Sequence, residues 1–155
     1  MVLVTVGTQK QSFDRLFNLV RNSKELKKEE LIVQRGYTKC NNSKRIKAFD
    51  FIPLDEMENY IANSDMIISH GGVGTIFSAI KKGKKVIAVP RLAKYGEHIN
   101  DHQIEICEEL EKEGYILYYK DGIDDLDKLI KKARNTTFSK YDSNYNYIDI
   151  LRKEI

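Results

Sequence analysis

Met66-Ile67-Ile68-Ser69-His70-Gly71-Gly72-Val73-Gly74-Thr75 passes from a short apolar run through a glycine-rich turn into a helix start. An apolar run of this length, bounded by a turn, reads as a buried strand. Glycines let backbone N–H groups approach an anion with no Cβ in the way, and the following helix start adds a dipole that favours phosphate. The stretch therefore reads as a phosphate cradle. Taken alone it leaves a second reading open, a tight structural connection. It lacks the GxxxxGK[ST] pattern of a P-loop, and it follows the fourth strand of the chain, whereas a dinucleotide fingerprint follows the first.

Working outward, the same alternation recurs. Val2-Leu3-Val4-Thr5-Val6 is a β-branched run stopped by Gly7-Thr8, and Phe13, Leu16, Phe17 and Val20 then repeat at helical spacing with Ser12 placed as the cap. Leu31-Ile32-Val33 predicts a second strand and Ile46 to Ile52 a third, closed by Pro53. A helix is predicted over 55–63 with Met57, Tyr60 and Ile61 inward, and another over 75–82, ended by Gly83. Lys85 to Val89 is the fifth strand; a helix over 100–112 turns Ile104, Cys107 and Leu110 inward; Tyr115 to Tyr119 is a strand, and 124–133 the last helix. Strands alternating with helices imply a mostly parallel sheet covered on both faces, a doubly wound Rossmann-like α/β domain over residues 1–134. Residues 135–155 break the rhythm with Tyr141, Tyr145, Tyr147, Ile148, Ile150 and Leu151, and read as an appended helical tail that packs on its own domain or on a partner.

Composition narrows the class. At 155 residues, 41% apolar and 32% charged, the chain has the balance of one globular domain. Its apolar runs fall far short of the roughly 20 residues that cross a bilayer, and Met1 to Val6 lacks the features of a signal peptide, so a cytoplasmic address is expected. Cys40 and Cys107 stand apart with no CxxC spacing. The charge of +3 is mild, and the lysine clusters at 24–28, 81–85 and 131–132 suit solvated helix ends or an anionic membrane surface, with no nucleic acid expected.

In a doubly wound sheet the ligand lies beyond the carboxyl ends of the strands. After the fifth strand comes the polar segment from Pro90 to Gln103, in which Asp101, His102 and Gln103 offer donors and acceptors suited to a hydroxyl-rich ligand such as a sugar. His98 and His102, four apart and joined only by His70, raise a competing metal pair, but without HExxH no metal and no cofactor is expected.

These residues together resemble the C-terminal nucleotide-sugar-binding domain of GT-B glycosyltransferases of family 28, the type that includes the peptidoglycan N-acetylglucosaminyltransferase. They resemble more closely its short single-domain members: the catalytic subunit of the two-part eukaryotic dolichol-linked N-acetylglucosaminyltransferase, and bacterial capsule and exopolysaccharide counterparts. The resemblance runs through Val4 to Thr8, Phe51-Ile52-Pro53, Ile68 to Thr75 and Gly96 to Gln103, and spans about residues 1–120 in order. It implies that Gly71, Gly72, Val73, Gly74 and Thr75 hold a diphosphate, that backbone at Phe51 and Ile52 meets uracil, that His102 and Gln103 meet the donor sugar, and that Gly7 and Thr8 lie at the cleft mouth. Many members of the family place a ribose-binding glutamate four residues after the last glycine of the loop; here that residue is Ser78, so Ser78 or Glu97 is expected at the ribose. His70 is the candidate catalytic residue, positioning a phosphate, with Arg91 or Lys94 adding positive potential.

The resemblance further implies a UDP-sugar-dependent hexosyltransferase that moves galactose or N-acetylglucosamine to a polyprenyl-linked saccharide acceptor. It would be active only with a membrane-anchored, acceptor-binding partner subunit that recruits it to the inner face of the membrane. The alternative is a non-catalytic subunit of the same fold that stabilises or enhances a partner transferase.

Overall fold

The structure is a computed structural model that describes residues 1–142. Six strands form one sheet: β1 (Val2–Thr5), β2 (Leu31–Gln34), β3 (Ile46–Phe49), β4 (Met66–His70), β5 (Lys85–Val89) and β6 (Leu117–Tyr118), in the order β3-β2-β1-β4-β5-β6. Every pairing is parallel, with β1 at the centre taking Leu31 to Gln34 on one side and Met66 to Ser69 on the other. The helices are α1 (Asp14–Asn22), α2 (Leu54–Asn63), α3 (Val73–Lys81), α4 (His102–Lys112) and α5 (Leu126–Arg134). The doubly wound α/β arrangement read from the sequence is the observed one, and the strand order reverses between β1 and β4.

Period-two alternation sorts the strand side chains between two cores. Val2, Val4, Leu31, Val33, Ile68 and Ile87 face α1 and α5, meeting Leu16, Phe17, Leu129 and Ile130. Leu3, Ile67, Val86 and Ala88 face the other way, onto Ile61 of α2, Ile76 of α3, and Ile106 and Leu110 of α4. The central strands are apolar on both faces because each face carries its own helical layer. α3 packs against both the sheet and its neighbour α2 and is buried on most of its circumference.

Several boundaries differ from those expected, each for a local reason. Ser12 does not cap α1; its hydroxyl donates to Asp14 Oδ2 at 3.0 Å, Phe13 takes the cap position, and the Phe13 N–H goes to Thr38 Oγ1 at 2.9 Å. β6 is only two residues long: the Tyr115 N–H turns back to Leu110 O of α4 at 3.0 Å, and the strand lies at the sheet edge with one neighbour. β3, the opposite edge, ends at Phe49 and frees the chain from Phe51 to Pro53. α4 starts at His102 and buries Ile106, whereas Ile104 is only half-buried. α5 is capped by Asp125, which accepts from the Asp127 and Lys128 N–H groups.

After α5 the chain crosses to the other layer without forming a helix over 136–142: Phe138 packs on the first core and Tyr141 on the second, and the Ser139 N–H meets Gly114 O at 2.9 Å. The expected helical tail otherwise lies outside the described residues.

Ile68, fully buried and paired through β4 to Val4 and Ile87, is the natural probe of the first core. Ile68→Ala is expected to cost about 2–5 kcal/mol, read as a lower urea midpoint at unchanged slope.

Candidate functional site

The reversal of strand order sends the loops after β1 and β4 to opposite faces and opens a crevice between them. His70, the last residue of β4, fills the floor of that crevice. Gly7 has a left-handed backbone (φ +78°), and a Cβ there or at Gly72 would fall on the imidazole ring, so both positions need glycine. The ring is thus held between the two loops, with Nε2 towards Gly7.

The protonation state follows from its partners. The Gly72 N–H donates to His70 Nδ1 at 3.1 Å, and Gln103 Nε2 lies 3.3 Å from the same atom. A backbone N–H can only donate, so Nδ1 is the acceptor and the single ring proton sits on Nε2. Burial pushes the pKa down to about 3, with Arg91 and His98 adding to the effect. His70 is therefore a neutral donor near neutral pH, and it has no free lone pair with which to take a proton.

Four side chains brace this floor. Gln103, 1% exposed, accepts from the Gly71 N–H at 3.1 Å and the Arg91 N–H at 2.9 Å, joining the loops after β4 and β5. Arg91, fully buried, donates to the carbonyls of Val6, Gln11 and Glu97 and stacks its guanidinium 4.8 Å from the Phe13 ring centre. Gln34, at the end of β2, accepts from the Gly7 N–H and donates to Gly7 O. Arg15 of α1 grips both carboxylate oxygens of Glu97, at 2.9 and 3.1 Å, and Pro90 O at 2.8 Å.

These contacts redistribute the expected roles. The Gly71 and Gly72 amides are taken within the protein, so the groups left for an anion are the N–H groups of Val73, Gly74 and Thr75 in the first turn of α3, which no side chain caps. A Cβ on Gly74 would meet nothing within 4 Å, so the space above it is open. Gln103, expected at the donor sugar, is an internal brace whose carboxamide is occupied by protein partners. Glu97 is likewise closed off: Arg15 and the Leu92 N–H occupy it. Arg91 serves the loops as a staple. Lys94 is exposed and paired with Asp121 at 3.1 Å.

Other expected residues are exposed or half-buried. Thr8 is exposed, and Phe51, 47% exposed, meets Tyr37 edge-on at 5.4 Å beside Ile52. His102 is half-buried at the start of α4, with Nδ1 lacking a protein partner. His98 lies outside α4, so the four-residue spacing that suggested a metal pair does not place it on one helix face with His102. No three His, Cys, Asp or Glu side chains converge for a metal among the described residues. Ser78, on α3, donates to both carboxylate oxygens of Glu58 on α2, at 2.7 and 2.8 Å.

Sequence reading missed Gln34, Arg15 and Glu58. Gln34 carried a signal, a polar residue ending an otherwise apolar strand; the Arg15–Glu97 pair, 82 residues apart, carried none.

The depressed His70 pKa has a stability consequence. The unfolded chain binds a proton near pH 6.5 and the folded chain does not, so this contribution is complete above pH 6.5 and is lost as pH falls from there towards 3. His70→Asn keeps an acceptor near the Nδ1 position and removes the titrating group. Between pH 7.5 and 5.5 the wild type is expected to lose about 1.4 kcal/mol more unfolding free energy than His70→Asn in parallel urea titrations. Equal losses would mean that His70 is not held neutral.

Known proteins agree with this architecture. The chain is 32% identical over 127 residues to the UDP-N-acetylglucosamine transferase subunit ALG13 of Homo sapiens, which covers 76% of this chain and 11% of that protein. It is 28% identical over 120 residues to the subunit of the same name from Debaryomyces hansenii, covering 72% and 55%. It thus spans only part of these relatives' length. Among solved structures, an NMR structure of ALG13 superposes with a TM-score of 0.66 at 18% identity, covering 99% of this chain and 96% of that one. The glycosyltransferase VinC, solved with dTDP, superposes at 0.55 and 19% identity, covering 86% and 32%. No helix among the described residues is long and apolar enough to cross a membrane. With a match to the glycosyltransferase family 28 C-terminal domain over residues 1–147, the chain belongs to that family.

Proposed function

We propose that this chain is the donor-binding catalytic subunit of a heteromeric glycosyltransferase, one that takes a UDP-sugar and passes its hexose or N-acetylhexosamine to a polyprenyl-linked acceptor. The observation that carries this reading is the uncapped first turn of α3, opening at the strand-order reversal beneath the empty space over Gly74. The similarity to UDP-N-acetylglucosamine transferase subunits favours N-acetylglucosamine over galactose as the sugar.

In the transfer an acceptor hydroxyl attacks the anomeric carbon, the bond from that carbon to the β-phosphate oxygen breaks, and negative charge gathers on the departing diphosphate. The N–H groups of Val73, Gly74 and Thr75 and the helix dipole are aimed where that charge develops, with no metal required of the residues present. His70 offers a second, neutral donor through Nε2. The acceptor's proton needs a base, and the neutral, Nδ1-occupied His70 is not suited to it. A membrane-anchored partner subunit that presents the acceptor supplies that base and brings this chain to the membrane face.

Gly74→Leu separates binding from folding, because its side chain enters open space and leucine favours the helix more than glycine. The variant is expected to keep its thermal midpoint and its partner while losing at least tenfold in UDP affinity by calorimetry, and to lose transfer when copurified with the product of an adjacent gene and assayed against UDP-sugars. Undiminished UDP binding would remove the cradle. UDP binding without transfer of any sugar, partner present, would leave a non-catalytic subunit.

A further inference from the structure

Between α2 and α3 lies a groove of about 390 Å³ lined by Glu58 of α2 and by Val73, Gly74, Phe77, Ser78, Lys81 and Lys82, so it leads directly away from the open first turn of α3. Glu58 supplies its only carboxylate among the described residues. The carboxylate is carried by α2 but fixed by α3: the Ser78 hydroxyl donates to both oxygens, and the Lys82 ammonium pairs with Oε2 while lying 3.3 Å from Ser78 Oγ. Lys82, then Ser78, hold Glu58 ionised below the usual glutamate range.

A lone carboxylate beside an anion-binding helix end would oppose the anion; here Lys82 offsets its charge while its remaining lone pairs stay turned to solvent, the side chain being 38% exposed. Such a group accepts hydroxyls and repels phosphates. Ser78 lies three to five residues beyond Val73–Thr75, about 4 to 8 Å along the helix. That is the reach from a bound phosphate to the sugar esterified to it. On the far side, α2 begins just after the exposed Phe51, so base, sugar and diphosphate fall in order along one path.

Resting on the nucleotide reading above, we infer that Glu58 binds the nucleotide ribose, its two oxygens accepting from the vicinal 2′- and 3′-hydroxyls, with Ser78 and Lys82 as positioning residues. The test is calorimetric titration of the full chain with UDP and with 2′-deoxy-UDP. Wild type is expected to prefer UDP by about tenfold or more, the worth of one charge-assisted hydrogen bond. Glu58→Ala should bring that ratio close to one by weakening UDP, with 2′-deoxy-UDP affected less. Ser78→Ala should lower the ratio with little change in thermal midpoint, an effect that a purely structural contact would not produce. An unchanged preference in Glu58→Ala, with UDP still bound, overturns this inference and leaves the nucleotide reading standing. Failure of wild type to bind either nucleotide overturns both.

Discussion

One side-chain carboxamide joins the parts of this site. Gln103 accepts from the backbone of the glycine loop and of the β5–α4 loop, and its amino group faces the ring nitrogen of His70. Because the group is buried, each of these bonds is strengthened by the low local dielectric, and each would leave a costly orphan if its partner were lost. The position of the loop after β4 is therefore set by α4 and β5, from 32 residues further along the chain, as much as by its own glycines. Arg91 continues the brace to the β1–α1 loop through Val6 O and Gln11 O, so three loops from three strands are tied together.

That bracing determines which groups remain available to a ligand. Protein partners take up the amides of Gly71 and Gly72, the carboxylate of Glu97 and the lone pair of His70 Nδ1. The first-turn N–H groups of α3 and the carboxylate of Glu58 face outward, with the Nε2–H of His70 beneath them against Gly7. Donors are thus gathered at the helix start and the acceptor further down the groove, which is the polarity a molecule with phosphate at one end and hydroxyls beside it requires.

The fold was legible in the chain because its signals are local. Runs such as Val2 to Thr5 and Met66 to Ile68, followed at once by glycine and a helical period, are enough to place strands and helices, and alternation within each run sorts the two cores. The glycine loop was legible for the same reason. The chemistry of individual polar residues was not, because burial and partners decide it. His102 and Gln103 are neighbours, yet one is half-buried with an unpartnered ring nitrogen and the other is sealed inside. Glu97 reads as a ligand group in the sequence, whereas in the fold Arg15, 82 residues away, holds its carboxylate. Ser12 looked like a cap because its position suited one, but it is bonded to Asp14 while the Phe13 amide is claimed by Thr38.

Three glycines of these loops show how one residue type serves opposite ends. At Gly7 and Gly72 the missing Cβ admits the His70 ring, so substitution there disturbs the protein before any ligand arrives. At Gly74 the missing Cβ admits nothing from the protein, although glycine costs the helix about 1 kcal/mol relative to alanine. Gly74 thus leaves the backbone of the first turn of α3 open to approach from outside. The open backbone at the uncapped end of α3 is the feature on which the proposed binding of a donor diphosphate rests.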